Sequence, residues 1–109
     1  MDRGEIFKKG AAKFTDLVAY NSGAIVSREI LKTASAKVTI FAFDEGEGLS
    51  EHTSPFDALV HVLEGETEIT IAGHSFRVKE GEMILMPANE PHALKALRKF
   101  MMILTMVRS

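Results

Sequence analysis

From Ala24 to the end of the chain, apolar residues recur at every second position in short runs, each closed by Gly, Pro or an acidic residue. Period two is the repeat of a strand with one buried face, because successive side chains leave a β-strand on opposite sides. The runs cover 24–31, Ala36–Phe43, 58–63, 67–72, 74–78, Met83–Met86 and Phe100–Val107. In the 67–72 run, Ile69 and Ile71 share one face while Glu68 and Thr70 share the other, and Gly73 then turns the chain into the next run as a hairpin. Many short strands with this punctuation predict an all-β fold, a small antiparallel sandwich or barrel. Helix is limited to a short turn somewhere in 5–17, where Gly10 and the lack of a sustained 3.6-residue stripe argue against anything longer.

A chain of 109 residues, with no internal repeat, low-complexity tract or linker, reads as one domain spanning 1–109. At this size a domain buries roughly two-thirds of its unfolded surface, enough for one core without staples. There are no cysteines, so disulfides, thiolate zinc sites and cysteine nucleophiles are excluded, in keeping with a reducing, cytoplasmic setting. The net charge of -2 comes with scattered Lys and Arg rather than a basic stripe, which argues against a nucleic-acid partner. No apolar run approaches the roughly eighteen residues of a membrane helix or follows Met1 at signal-peptide length, so no membrane association is expected.

The last run is apolar on both faces: Phe100, Met102, Leu104 and Met106 on one, Met101, Ile103 and Val107 with Thr105 on the other. A strand apolar on both sides is buried on both. Only one side can face the interior of so small a barrel, so the outer side meets another layer or another subunit, and a homodimer is expected.

Two glycine-histidine segments carry the chemistry. The first, 46–65, reads GEGLSEHTSPFDALVHVLEG, and the second, 81–96, reads GEMILMPANEPHALKA. Together they resemble the two motifs of the cupin superfamily, G-x5-H-x-H-x3-E-x6-G and G-x5-P-x-G-x2-H-x3-N, with Gly46, His52, Gly65, Gly81, Pro87 and His92 at the family spacing. The resemblance implies a double-stranded β-helix, a jelly-roll-like barrel whose three His and one Glu hold a divalent ion at the pocket. Here the second His position is Ser54, the Glu position is Ala58, the motif Gly is Asn89 and the final Asn is Ala96. Asn tolerates a left-handed backbone, so Asn89 keeps the turn. His52 and His92 are what remains of the ligand set, and His52, Ser54, Ala58 and His92 are the expected pocket residues. Two imidazoles and waters hold a divalent transition ion such as zinc, nickel, manganese or iron only weakly. Asp57 and His61 have the wrong strand parity to replace the missing Glu unless a bulge turns one of them inward.

The other polar residues have plainer expectations. His61 is a packed or interfacial residue and His74 an exposed turn residue. Glu64 and Glu66 are solvated turn carboxylates, Glu51 and Asp57 bracket the pocket mouth, and Tyr20 carries no evident chemistry. Met83, Met86, Met101, Met102 and Met106, with Phe41, Phe43, Phe56 and Phe100, are core filling, some of them lining the barrel interior. The function that follows is small-molecule binding in the pocket. The alternatives are a metal-dependent enzyme of this superfamily, a small dioxygenase or isomerase using His52 and His92 with waters, and a structural dimer module with no ligand.

Overall fold

A computed structural model describes residues 3–108. A single helical turn, α1 (Arg3–Ile6), and a 3-10 turn at Phe14–Asp16 precede nine strands. These are β1 (Ile25–Lys32), β2 (Ala36–Phe43), β3 (Gly48–His52), β4 (Asp57–Glu64), β5 (Glu66–Ile71), β6 (His74–Lys79), β7 (Met83–Met86), β8 (His92–Ala96) and β9 (Phe100–Val107). They form two antiparallel sheets, one ordered β1-β2-β9-β4-β7 and the other β3-β8-β5-β6. The all-β barrel read from the alternation is therefore the observed one. Two strands had no counterpart in the apolar runs, β3 and β8, and these are the two that carry His52 and His92.

The alternation sorts residues to the two sides of the larger sheet. Its inner face, with Phe43, Ala58, Val60, Val62, Met86, Phe100 and Met102, packs against Ile69, Val78, Leu94 and Ala96 of the smaller sheet. Phe43 and Phe100 stack at 4.5 Å between ring centroids. Each such buried ring contributes roughly 1.5–3 kcal/mol relative to exposure. Thr67, fully buried at the end of this core, donates its hydroxyl proton to the Lys95 carbonyl at 2.9 Å, so its polar atom stays satisfied.

The outer face of β9 does meet another layer, and part of that layer is the chain's own N-terminal segment. Val18 packs with Ile30, Ile40, Ala42 and Met101, with Leu17, Tyr20, Ile103 and Leu63 around them. A bulge in β4 opposite β9, between Val62 and Glu64, breaks the inward-outward alternation there. Glu64 thereby reaches Tyr20, whose hydroxyl donates to Glu64 Oε1 at 2.7 Å, and Lys99 Nζ lies 5.7 Å from the Tyr20 ring centroid. Glu64 is thus not the solvated carboxylate its turn position suggested. Nor is Glu66, which sits within reach of Arg98 at 3.3 Å and Arg77 at 3.8 Å.

Two close approaches fix how the sheets turn. Gly65 has φ +81°, and a Cβ there would overlap the Lys99 carbonyl and Phe100. Gly48 lies so near β8 that a Cβ would overlap the Leu94 carbonyl oxygen. Asn89 adopts φ 67°, the left-handed conformation expected of it in place of the motif Gly. Ala72 is also left-handed, at φ 49°, where it begins the two-residue turn completed by Gly73. Among the described residues no helix is long and apolar enough to cross a membrane.

Candidate functional site

His52 and His92 are brought together by register. In the β3–β8 pairing, Leu49 stands opposite Leu94 and His52 opposite His92, three residues of β3 against two of β8. That extra residue is a β-bulge. On a plain strand Leu49 and His52, three apart, would leave on opposite faces. The bulge turns both inward, and both line the same interior cavity. A bulge does serve this pocket, on β3, where it carries His52; Asp57 and His61 gain nothing from it.

The two rings meet edge to face, with centroids 4.4 Å apart and planes inclined at 71°. Each ring is pinned in the same way. His52 Nδ1 lies 2.8 Å from the Ser50 carbonyl oxygen and His92 Nδ1 lies 3.2 Å from the Glu90 carbonyl oxygen. A carbonyl only accepts, so each Nδ1 carries the proton, and Nε2 is the lone-pair nitrogen of each neutral ring. Among the described residues neither Nε2 has a hydrogen-bond partner. His92 is buried and His52 is exposed, so the pair runs from the mouth of the cavity into its wall. Burial lowers the His92 pKa below the ordinary imidazole value, and the neighbouring His52 lowers it further, against the opposing bond to Glu90.

The cavity is about 60 Å³ and is lined by Ser54, Ala58 and the two histidines together with Leu49, Met86, Leu94, Met102, Leu104 and Met106. All four pocket residues named from the motif spacing therefore share one wall space. Sequence reasoning missed Leu49 and Leu94, because β3 and β8 were not read as strands. The 92–96 segment did carry a signal, since His92, Leu94 and Ala96 alternate with Ala93 and Lys95.

The loops beside the histidines are stitched to one another. Asn89 N–H donates to the Ser54 carbonyl at 2.7 Å, and Ala88 N–H donates to Asp57 Oδ1 at 2.9 Å. Ser54 Oγ accepts from Phe56 N–H at 3.2 Å, and the Arg108 guanidinium lies 4.8 Å from the Phe56 ring centroid. Asp57 thus holds the loop that leads to His92 and does not enter the cavity. His61 is half-buried on the opposite side of β4, opposite Met83 and Ile103, as its parity required. His74 is exposed beside the Ala72–Gly73 turn.

The divalent centre that the motifs imply needs four convergent donors, three imidazoles and a carboxylate. Two imidazoles are in place, Ser54 offers a hydroxyl already accepting a backbone bond, and Ala58 offers nothing. Among the described residues no group of three or more His, Cys, Asp or Glu side chains is placed to hold an ion. The donor set does not fit that centre, and no reaction step can be routed through it.

Comparison with known proteins agrees with the architecture. Residues 39–108 match a family model described as Cupin domain. A conserved protein of unknown function from Streptococcus pyogenes is 37% identical, with a TM-score of 0.87 over 91% of this chain and 87% of that one. A cupin 2 conserved barrel domain protein from Leptotrichia buccalis is 40% identical, with a TM-score of 0.83 over 86% of this chain and 46% of that longer one. A cupin superfamily protein from Desulfitobacterium hafniense shares the fold at 22% identity, with a TM-score of 0.83 over 87% of each chain. No curated protein matches the chain. The paired antiparallel sheets, the landmark spacing and the match over 39–108 place the chain in the cupin family.

Proposed function

We propose that this cupin domain binds a small ligand in its barrel cavity without a resident divalent catalytic centre. The observation that carries the reading is the convergence of two imidazoles, their Nδ1–H groups already committed to backbone carbonyls, on a cavity otherwise lined by Ser54, Ala58 and Leu and Met side chains. His52 and His92 present acceptor nitrogens to the polar end of the ligand, Ser54 stands beside them, and Ala58 leaves open the space a carboxylate would fill. The cavity holds about two water molecules at their liquid volume. A larger ligand enters only as the flexible Met86, Met102 and Met106 side chains swing aside.

The test is fragment binding by imidazole and methyl NMR together with thermal shift, on wild type and on His52→Ala and His92→Ala. Ligands that raise the melting temperature by mass action lose that effect in both variants. A fragment set that perturbs neither His52 nor His92 nor any cavity methionine refutes the proposal. The two uncommitted Nε2 atoms also favour a second reading, a metal-dependent dioxygenase or isomerase with waters and substrate completing the shell. Less than about a tenth of an equivalent of metal in tag-free protein, with no melting shift on adding zinc, nickel or manganese, rejects it.

A second copy is the partner we propose for the outer face of β4 and β7, where Leu59, Met83 and Leu85 stay exposed beside Val107. Sedimentation of wild type against Leu85→Glu tests this: a dimer that becomes a monomer supports it, and a wild-type monomer rejects it. The cysteine-free composition accords with a cytoplasmic setting.

A further inference from the structure

The two sheets leave a gap along the flank where they end, one at β6 and the other at β7. In the β5–β6 hairpin, Ile71 stands opposite His74, Ile69 opposite Phe76 and Thr67 opposite Val78, so these side chains share one face. Ile69 is fully buried in the core between the sheets, which makes that face the inner one. Yet Phe76 is 46% exposed, while Val78, two residues further along the same face, is 3% exposed. On the opposing wall Ile84 has the parity of the buried Met86 and is itself only partly buried. Inward-facing apolar groups therefore lie uncovered between two strand edges.

They line a groove of about 510 Å³ whose third wall is the 87–90 loop, with Pro87 and Glu90. No residue of this groove lines the barrel cavity that holds His52 and His92. Its volume falls within the roughly 300–1,000 Å³ of small-molecule sites. The titratable side chains in it are His74 and Glu90, both exposed, and among the described residues neither has a hydrogen-bond or ion-pair partner for its side chain.

The occupant follows from shape and charge. A two-fold interface sets one patch against its own copy, and a concavity set against a concavity stays empty. An added β-strand would gain little backbone pairing, because β7 offers an edge of four residues. A small molecule suits the volume, with an apolar body to cover Phe76 and Ile84. The Glu90 carboxylate has no counter-charge, so it attracts a cationic end and repels an anionic one. An aromatic face such as Phe76 in the same groove adds to the preference for a cation.

We infer that the open flank between β6 and β7 is a second small-molecule site, selective for an amphipathic amine whose apolar body lies on Phe76 and Ile84 and whose ammonium pairs with Glu90. His52 and His92 take no part in it, so it stands or falls apart from the barrel pocket.

The experiment is a titration of the full chain with phenylpropylamine, phenylpropanol and phenylpropanoate, matched probes that differ in the charge of one end, followed by amide and methyl NMR. The amine should shift resonances of Ile71, Phe76, Ile84 and Glu90 and bind more tightly than the alcohol, with the carboxylate weakest. Glu90→Gln should weaken amine binding roughly two- to fivefold, the range of an exposed ion pair, and erase its advantage over the alcohol. Phe76→Ala should weaken amine and alcohol alike by about three- to tenfold through the apolar area it removes. Ile84→Ala should weaken both in the same sense, which keeps the apolar wall testable if the Phe76 variant melts low. Glu29→Gln, on β1 at the far edge of the larger sheet, should change nothing. Equal affinity for all three probes, or an amine preference that survives Glu90→Gln, overturns the inference. So do shifts confined to His52, His92 and the cavity methionines, which support the barrel pocket alone. A wild-type dimer that Phe76→Glu converts to monomer assigns the groove to a second copy and overturns it as well.

Discussion

Restoring the two missing donors offers a demanding check on the site geometry. The double substitution Ser54→His and Ala58→Glu puts an imidazole and a carboxylate at positions that line the same cavity as His52 and His92. Ala58 is 3% exposed, so the new glutamate is buried from the outset. It adds four heavy atoms to a cavity of about 60 Å³ and crowds Met86 and Met106, its neighbours in register. A buried carboxylate without a counter-charge destabilises by about 3–5 kcal/mol. At about 4 °C per kcal/mol for a domain of this size, the metal-free variant should melt some 12–20 °C below wild type. Nickel or manganese at about a thousand times its dissociation constant returns about 4 kcal/mol, or about 16 °C. Differential scanning fluorimetry with and without metal, followed by metal analysis of the dialysed protein, reads both limbs. A variant that melts low and is not rescued, binding metal no better than wild type, would falsify the placement of Ser54 and Ala58 beside the histidines.

Three smaller predictions concern single groups. Tyr20 is the chain's one tyrosine and there is no tryptophan, so ultraviolet titration reads it alone; burial, then the hydrogen bond to Glu64 and its negative charge, should delay ionisation well beyond the range of free tyrosine, and Glu64→Gln should bring the transition to lower pH. Because the raised value favours the protonated phenol, its contribution to stability is complete below the ordinary tyrosine pKa and is lost as pH rises toward the folded value. Ala72→Gly removes the cost of a left-handed Ala and should raise stability by about 0.5–1 kcal/mol in chemical denaturation; a loss of stability would show that the turn is not strained there. His92, with its lowered pKa, resists protonation in the folded state, so stability is complete above the unfolded value near 6.5 and declines as pH falls through that range toward the folded value. His92→Gln should flatten that decline in melting temperature between neutral and mildly acid buffers, and an unchanged slope would assign it elsewhere.

Most of the barrel was legible because burial on one face imposes period two, and β2, β5, β7 and β9 fall almost where the apolar runs place them. The hidden strands share a cause. β3 is mostly exposed, so apolar alternation had little to mark in Gly48–His52. β8 begins with a buried histidine, a residue that alternation by hydrophobicity counts as polar. The candidate pocket was legible through spacing rather than pattern, since Gly46, His52, Pro87 and His92 keep the family intervals and Ser54 and Ala58 stand at two of the family's donor positions. Illegible were the bulges in β3 and β4, because nothing in residue type says that one extra residue sits between Leu49 and His52, or that Glu64 leaves the alternation to meet Tyr20. Those depend on which strand lies opposite, a relation between segments distant in the chain.

The bulge in β3 gives the pocket a tolerance in strand length. Ser50 and Glu51 lie between Leu49 and His52, and both are exposed. Removing either one would leave Leu49 and His52 two apart, on the same face of an unbulged strand, and the imidazole would keep its place opposite His92. A lineage could therefore lose a single codon between Leu49 and His52 and keep the imidazole pair. The spacing inside β3 is thus forgiving by one residue, whereas the residue types at 54 and 58 decide which donors the cavity presents.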